Sequence, residues 1–469
     1  MGGAFFGFLS SKLEFITKAI FSRYYNILEN KDYIIALFLS ILSSLAFCFY
    51  YMVKDYEIVR VKISDLEFDL MQRIYSKQSL NLPSLPKIIV ILVDLDYLNS
   101  KNLNDGYDNI TANYTPRKVL ADLLNDLNTT IADKKPKAIL LDYYLAYTSN
   151  ENNQTSKGDI SLINALNKMA NNHTIYLPTL KNRLFLEDFN LSKNIKFSST
   201  IIKTYQDDIA RGFSPCFYKD GDLIKHIALE FSDKNLTKCE NLSQKELFEY
   251  RILFKSINGL KQNDKSILAS NYKNISIYSA DILNSKTQKI NSKIFDDAIV
   301  LIGSNYKASN DNYKTPVGQM SGVLVLANAI NSQFITKDKM RQIGLFKGMI
   351  YYFFIGFFGI YLSIKLINLA YKGLQRELLW VSILQVATSI VFFIPATFLF
   401  FKHYVYIVWI IPWVLFQLLD TVLVFIKFIF EKDKKELFLK FAKVLICLVA
   451  IGLMMLALVY ALNFIFFRS

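Results

Sequence analysis

Acidic side chains at the ends of apolar strands are where α/β proteins handle polar ligands, and this chain carries several. In KIIVILVDLDYLN, residues 87–99, an unbroken apolar run from Ile88 to Val93 empties into Asp94 and Asp96. A second apolar run, KAILLDYYL at 137–145, delivers Asp142, and Arg117 opens the segment between them. In a parallel sheet the three aspartates emerge at the carboxyl edge, the usual ligand side, with Arg117 starting the helix that faces it. Asp94, Asp96, Arg117 and Asp142 therefore make either a polar-ligand or cation pocket or an internal salt-bridge cluster that holds loops over the edge. Structural ion pairs imitate active sites closely enough that both readings stand.

Catalysis is the poorer reading. Asp94-x-Asp96 has the spacing of a haloacid-dehalogenase phosphatase, but those enzymes usually follow the second aspartate with Gly or Thr, and Tyr97 follows here. In FDDAIVLIG the acidic pair precedes its strand, where the enzyme would carry it after. His173, His226 and His403 lie in no metal-ligand spacing, and Gly303 has no glycine partners to build a phosphate loop. We expect no enzyme, no cofactor and no metal.

Other residues suggest modification or membrane chemistry. Cys216 and Cys239 flank FYKDGDLIKHIALEF, a segment expected to fold back as a hairpin, so the two thiols either pair or stay free. Asn128, Asn153, Asn190 and Asn235 each have Ser or Thr two residues on, the glycosylation acceptor pattern. Each also has an acidic residue two before, the form some bacterial oligosaccharyl transferases require; Asn128 sits close to a helix. Asp420 lies inside the apolar stretch FQLLDTVLVFIKF. A carboxylate at membrane depth needs a partner, Lys427 or Lys365, or else it forms a coupling or ion site.

The elements that position these residues follow from hydropathy. The chain has 469 residues, 52% hydrophobic and 15% aromatic, too apolar for one soluble domain, with the apolar excess at its two ends. Ile34 to Val53 is free of charge and long enough to cross one hydrocarbon core of roughly 30 Å. Its basic leader, residues 1–33, should stay in the cytoplasm and place residues 54–343 outside. Four further spans are expected near 348–370, 378–401, 404–426 and 444–467, a four-helix transmembrane region over 344–469. The basic loops 371–377 and 427–443 lie on the inner side. The formal charge of +14 gathers into no basic stripe with interleaved aromatics, so nucleic acid is excluded as a partner.

The outer segment reads as α/β. Strands are expected at 88–94, 137–145, 173–180 and 298–304, the first buried on both faces because its apolar run is continuous. Helices are expected from Thr115 as N-cap with Pro116 in the first turn, over 159–170, from SADIL at 279–283, and over 321–334. Their alternation predicts right-handed crossovers and a mostly parallel sheet with flanking helices, joined to an all-α transmembrane part.

The ordered stretches IIVILVDLDYLN, YTPRKVLADLLNDL, PKAILLDYYLAYTSNE, DGDLIKHIALE, SADILN, IVLIGSNYKASNDNYKTPVG and SGVLVLANAI resemble the type-two CHASE domain over residues 55 to about 335. This is an extracellular sensor module of bacterial cyclases and kinases. The resemblance matches Asp94, Asp96, Pro116, Arg117, Asp142, Asp220, Gly221, Asp222, Gly303, Asp311, Thr315, Pro316 and Gly318 to family positions. Tyr114 replaces a usual tryptophan. Leu324 and Leu326 stand where the family typically has a glutamate and a histidine, which implies a lost ligand contact. Relatives carry a cytoplasmic output domain, and this chain offers only the loop 427–443 and a further span. The resemblance thus implies a multi-pass protein of the bacterial cytoplasmic membrane with its main domain outside. It would sense a small-molecule ligand and signal through a protein partner or a second copy, or it would serve as an envelope assembly component that has lost sensing.

Overall fold

The computed structural model describes residues 65–76, 85–101, 115–148, 155–180, 184–204, 207–232, 250–255, 268–269, 274–283, 291–306 and 311–336, together with shorter stretches and isolated positions. The chain divides into two compact units. One is residues 65–342 with 403–405, and the other holds residues 1–64, 343–402 and 406–469.

In the first unit, strand β1 (Lys87–Val93) lies inside a seven-stranded sheet, next to its central strand. The other strands are β2 (Ala138–Leu141), β3 (Ile175–Pro178), β4 (Ile195–Ser198), β9 (Leu268–Ala269), β10 (Ile275–Ser279) and β11 (Ala298–Ser304). Their spatial order is β4-β3-β2-β11-β1-β10-β9. Every pairing from β4 to β10 is parallel, and only the edge strand β9 runs the other way. The mostly parallel sheet expected from the alternation is therefore present. Lys87 aside, β1 and β11 are buried along their whole length, which is why both read as unbroken apolar runs.

Helices α2 (Leu95–Ser100), α3 (Arg117–Thr130) and α4 (Lys157–Ala170) cover one face. There Ile89, Ile91 and Val93 meet Leu120, Leu124, Leu162 and Leu166 in one apolar core. The opposite face of β1 and β11 receives helix α6 (Gly322–Thr336), and all of its residues but Phe334 are buried. A helix apolar all round belongs in such an interior position. The short helix α5 (Ile227–Glu230) packs against α6, and two polar side chains of α6 accept from main-chain donors. Asn328 Oδ1 accepts from the Lys255 amide at 3.0 Å, and Ser332 Oγ from the Leu253 amide at 2.8 Å. Helix α1 (Asp65–Ser76) meets the same segment, Gln72 Oε1 accepting from the Phe254 amide at 2.9 Å.

Several local expectations are corrected. Thr115 does not cap α3. Pro116 is the flanking residue, with extended ψ of 138°, and the Thr115 hydroxyl is drawn to the hydroxyls of Tyr306 at 3.0 Å and Tyr143 at 3.3 Å. The strand expected over 137–145 ends at Leu141. Helix α4 starts two residues early because Ser156 and Asp159 form a capping box. SADIL starts no α-helix: Ser279 closes β10, a strand that periodicity did not reveal, and Ala280–Leu283 is a single 3-10 turn.

The hairpin expected between the cysteines is present as β7 (Cys216–Lys219) and β8 (Asp222–Lys225), turning through Asp220 and Gly221. Both turn residues have positive φ, as a tight hairpin turn demands. Strands β5 (Ile202–Thr204) and β6 (Ala210–Phe213) form another small hairpin, and β12 (Asn312–Thr315) and β13 (Gly318–Ser321) a third.

Among the described residues, no helix is long and apolar enough to cross a membrane. The spans expected at 34–53, 348–370, 378–401, 404–426 and 444–467 fall mostly outside those residues, as do Asp420, Lys427 and Lys365. Val405–Tyr406 is extended, so the stretch expected from 404 opens with strand rather than helix.

Candidate carboxylate site at the sheet edge

The parallel strands β1, β2, β10 and β11 all end at one edge, where Asp94 and Asp142 emerge. Asp94 leaves β1 directly and becomes the N-cap of α2. Its Oδ1 accepts from the Tyr97 amide at 3.0 Å and from Ser279 Oγ at 2.8 Å. Burial pushes the Asp94 carboxyl above its ordinary range, while these two bonds pull it back. Asp96 is exposed in the first turn of α2, where a carboxylate complements the helix N-terminus.

Arg117 turns elsewhere. Its Nη2 donates to the Tyr147 carbonyl at 3.2 Å, its Nε lies 3.7 Å from Asp159 Oδ1, and its guanidinium stands 5.7 Å from the centre of the Phe185 ring. The capping-box carboxylate Asp159, buried at the start of α4, is thus its ion partner, which ties α3 to α4. Of the four residues grouped from sequence, Asp94 and Asp96 stay together, while Asp142 and Arg117 each find another partner.

For Asp142 that partner is Asp311. The Asp142 amide donates to the Ile302 carbonyl at 2.7 Å, which extends the β2–β11 ladder by one residue and sets Asp142 beside Gly303. Gly303 is the floor on which α6 rests, since a Cβ there would lie 2.5 Å from Val323 Cβ. Asp142 therefore sits at the first turn of α6. Asp311 reaches the same place from the other side. The Gly322 amide donates to the Asp311 carbonyl at 2.9 Å, and a Cβ on Gly322 would come within 2.2 Å of Asp311 Oδ1. Only glycine lets that carboxylate close over the helix start.

Burial pushes both carboxyls up, and their mutual repulsion adds to the rise on Asp142. Asp311 is pushed up to about 7 even though the Gly322 amide draws it down. Tyr313, raised to about 12 by burial and by both carboxylates, and Tyr143 and Tyr306, also raised by burial, complete the surroundings. Neither Asp142 nor Asp311 has a salt bridge among the described residues. Asp311 and Asp142 were both legible as single residues; their meeting was not. The signal was the glycine pair, Gly303 and Gly322.

The remaining candidates are scattered. Cys216 and Cys239 are joined, with Cα atoms 5.4 Å apart, inside the range a disulfide needs. Asn128 lies half-buried within α3, Asn190 is exposed in a loop, and Asn153 and Asn235 fall outside the described residues. His226 is fully buried, its Nδ1 accepting from the Ala228 amide at 3.1 Å and its ring stacked on Phe213 at 4.2 Å. Among the described residues, no group of three or more His, Cys, Asp or Glu side chains could hold a metal ion.

Comparison with known proteins gives one result. The family model described as the CHASE2 domain matches residues 43–361, well over half of the chain. No curated protein and no solved structure gives a significant match.

Proposed function

The chain belongs to the CHASE2 domain family, whose members are sensory, extracellular or periplasmic domains of membrane proteins and not catalysts; from that premise we propose a route for the signal. The domain receives its input at the carboxyl edge of the sheet and passes it along α6 to the part of the second unit that begins at residue 343. The observation that carries this reading is the placement of α6. It starts against the Asp142–Asp311 carboxylates, lies buried between the sheet, the helix Ile227–Glu230 and the segment 250–255, and is the last helix before that boundary among the described residues. A helix that begins at a charged site and is packed along its whole length transmits a displacement better than a loop does.

The protein that houses this domain is multi-pass, with residues 54–343 outside the cytoplasm and output delivered through a protein partner. Support comes from the charge-free stretch 34–53, the basic loops 371–377 and 427–443, and the family's usual setting. A reporter active only outside the cytoplasm should work when inserted at Asn153 and be silent at Lys434; the reverse would remove this arrangement. Affinity capture of the intact protein in mild detergent tests the output, because a cyclase or kinase recovered with it supports sensing.

One observation favours a second reading, a structural component of an envelope complex. Leu324 and Leu326 are buried on α6 at positions where a polar pair was expected from the family resemblance. A stoichiometric assembly without any signalling enzyme would support that role instead.

A further inference from the structure

Transfer of a sugar to asparagine requires two side chains to be presented together, the carboxamide that takes the sugar and the hydroxyl two residues on. Backbone geometry decides whether that is possible. In an extended chain, residues two apart share a side; in an α-helix they stand about 200° apart around the axis. Of the four acceptor patterns in the sequence, those at Asn128 and Asn190 lie among the described residues, and the fold gives them opposite geometries.

Asn128 stands on the wrong kind of backbone. It is half-buried within α3, and the Thr130 hydroxyl is already used, donating to the Asp126 carbonyl at 2.9 Å. Carboxamide and hydroxyl leave the helix on different sides.

Asn190 is the reverse case. It belongs to the connection from β3 to β4, just after the 3-10 turn Phe185–Asp188. The backbone is extended at Phe189, with φ of −111° and ψ of 152°. Phe189 and Leu191 pack inward on the apolar core, Phe189 meeting the Phe185 ring edge-on at 6.1 Å, while Asp188 and Asn190 are exposed. This alternation sets Asp188, Asn190 and Ser192 along one side of the chain. Asn167 of α4 holds the row by its backbone alone. Its Nδ2 donates to the Asn190 carbonyl at 3.2 Å, and its Oδ1 accepts from the Ser192 amide at 2.9 Å. Among the described residues the Asn190 carboxamide makes no hydrogen bond, and Ser192 Oγ meets only the Asn194 amide, 3.5 Å away. The segment is rigid where it must be held and free where it must react.

We propose that Asn190 is an acceptor for N-linked glycosylation, taking an oligosaccharide from a lipid diphosphate donor on the outer side of the membrane. Asn190 Nδ2 attacks the anomeric carbon of the donor sugar. The carbon–nitrogen bond forms as the bond from that carbon to the diphosphate oxygen breaks; the lipid diphosphate leaves with the bonding pair, and Nδ2 gives up one proton to water. Asp188 supplies the acid two residues before. The proposal rests on the placement of residues 54–343 outside the cytoplasm. Clamped to α4, the acceptor lies on the face of the sheet opposite α6, so a glycan there leaves α6 uncovered.

The test is mass spectrometry of tryptic peptides from the intact protein, isolated from the membranes of the cells that make it. Peptide 184–193 should carry a glycan, and peptide 119–134, which holds Asn128, should not. Asn190→Gln and Ser192→Ala should each abolish the modification of 184–193, and Ser192→Thr should keep it. Both positions lie outside the apolar core, so all three variants should accumulate as the native protein does. A native peptide 184–193 without glycan, or a glycan that survives in Ser192→Ala, would overturn the proposal. Equal modification of 119–134 would overturn the geometric argument behind it. The reporter at Asn153 tells the two failures apart: active, it leaves the outer placement standing and removes only the acceptor; silent, it removes both.

Discussion

Two groups of buried carboxylates in the same domain are built in opposite ways. Around α1, Asp65, Asp69 and Asp207 each have a base. Arg211 grips Asp69 through Nε and Nη2 at 2.8 and 2.7 Å and Asp207 through Nη1 and Nη2 at 2.8 and 2.6 Å, and Arg251 binds Asp65 while lying over the Phe68 ring. At the carboxyl edge of the sheet, Asp142 and Asp311 lie by each other and a helix start and have no salt bridge among the described residues. The first group spends its charges on holding α1 to β6 and the segment 250–255. In the second, burial favours the protonated form of both carboxyls. The comparison teaches that burial alone does not mark a responsive site; the identity of the partner does.

The sharpest way to break that distinction is to remove one member from each group. Arg211 is the largest of the fully buried side chains, and its loss leaves Asp69 as an uncompensated buried charge. Arg211→Met should destabilise the domain by about 3–5 kcal/mol at neutral pH. Asp311→Asn at the same pH should cost far less or stabilise, because it removes repulsion. Pulse proteolysis in denaturant measures both. Equal losses for the two variants would show that the edge pair is held by a cation after all.

Next in size is the link that fastens the β7–β8 hairpin near the same edge. Reduction of Cys216–Cys239, which closes a loop of 23 residues, should lower stability by about 3 kcal/mol. Alkylation with and without reductant, read by intact mass, checks the bond itself: two thiols labelled without reductant would mean that it does not form in the protein. The hairpin lies beside β4, the Ser199 amide bonding the Lys225 carbonyl at 2.8 Å, and leads into Ile227–Glu230, which packs against α6.

The sheet was legible because its strands differ so strongly in burial. β1 and β11 read as continuous apolar runs, and the amphipathic stripes of α3 and α4 announced the helices between them. What escaped was everything decided by a distant partner. ISIYS at 275–279 alternates weakly and becomes strand β10 only because β1 offers an open side. Thr115 has every local reason to cap a helix and instead meets two tyrosines far away in sequence. Of the site, Asp94, Asp96, Asp142 and Arg117 could be named singly, but grouping them required distances that spacing does not hold. Arg117 chose Asp159, a residue whose role in the capping box was itself local and readable. Asp142 chose Asp311, and the glycines that make room for this are silent until the helix they admit is in place.

That close approach supplies a smaller prediction. In Gly303→Ala the new Cβ would stand 2.5 Å from Val323 Cβ, backed by the packed face of α6, so the helix must shift. Overpacking of this kind costs about 1–3 kcal/mol. A repacked double variant, Gly303→Ala with Val323→Ala, should recover part of the loss. If Gly303→Ala were neutral, α6 would not be seated on the sheet as tightly as this approach implies.

The smallest effect is the most telling, because it sets the two kinds of buried group against each other in one measurement. Burial pushes His226 down to about 3 from an ordinary 6.5, and its Nδ1 already accepts the Ala228 amide. The unfolded chain therefore takes up a proton below 6.5 that the folded one refuses, so the stability His226 contributes is present above 6.5 and lost as pH falls. The carboxyl pair has the opposite sign. Its raised folded value means that the folded chain keeps a proton the unfolded one gives up above 3.8, so its contribution is present at low pH and lost as pH rises through about 7. Over the unit from about pH 5.5 to 6.5 each of these two groups, His226 and Asp311, contributes a slope on the order of 1 kcal/mol. Asn at 226 keeps a side-chain acceptor for the Ala228 amide but does not titrate. Relative to the native protein, His226→Asn should accordingly tilt stability toward falling with rising pH across this window, and Asp311→Asn toward rising. Urea midpoints at the two pH values decide it. Two variants tilted in the same direction would mean that one of these groups titrates as it does in water, and Asp311, the more exposed of the two, would be the first to doubt.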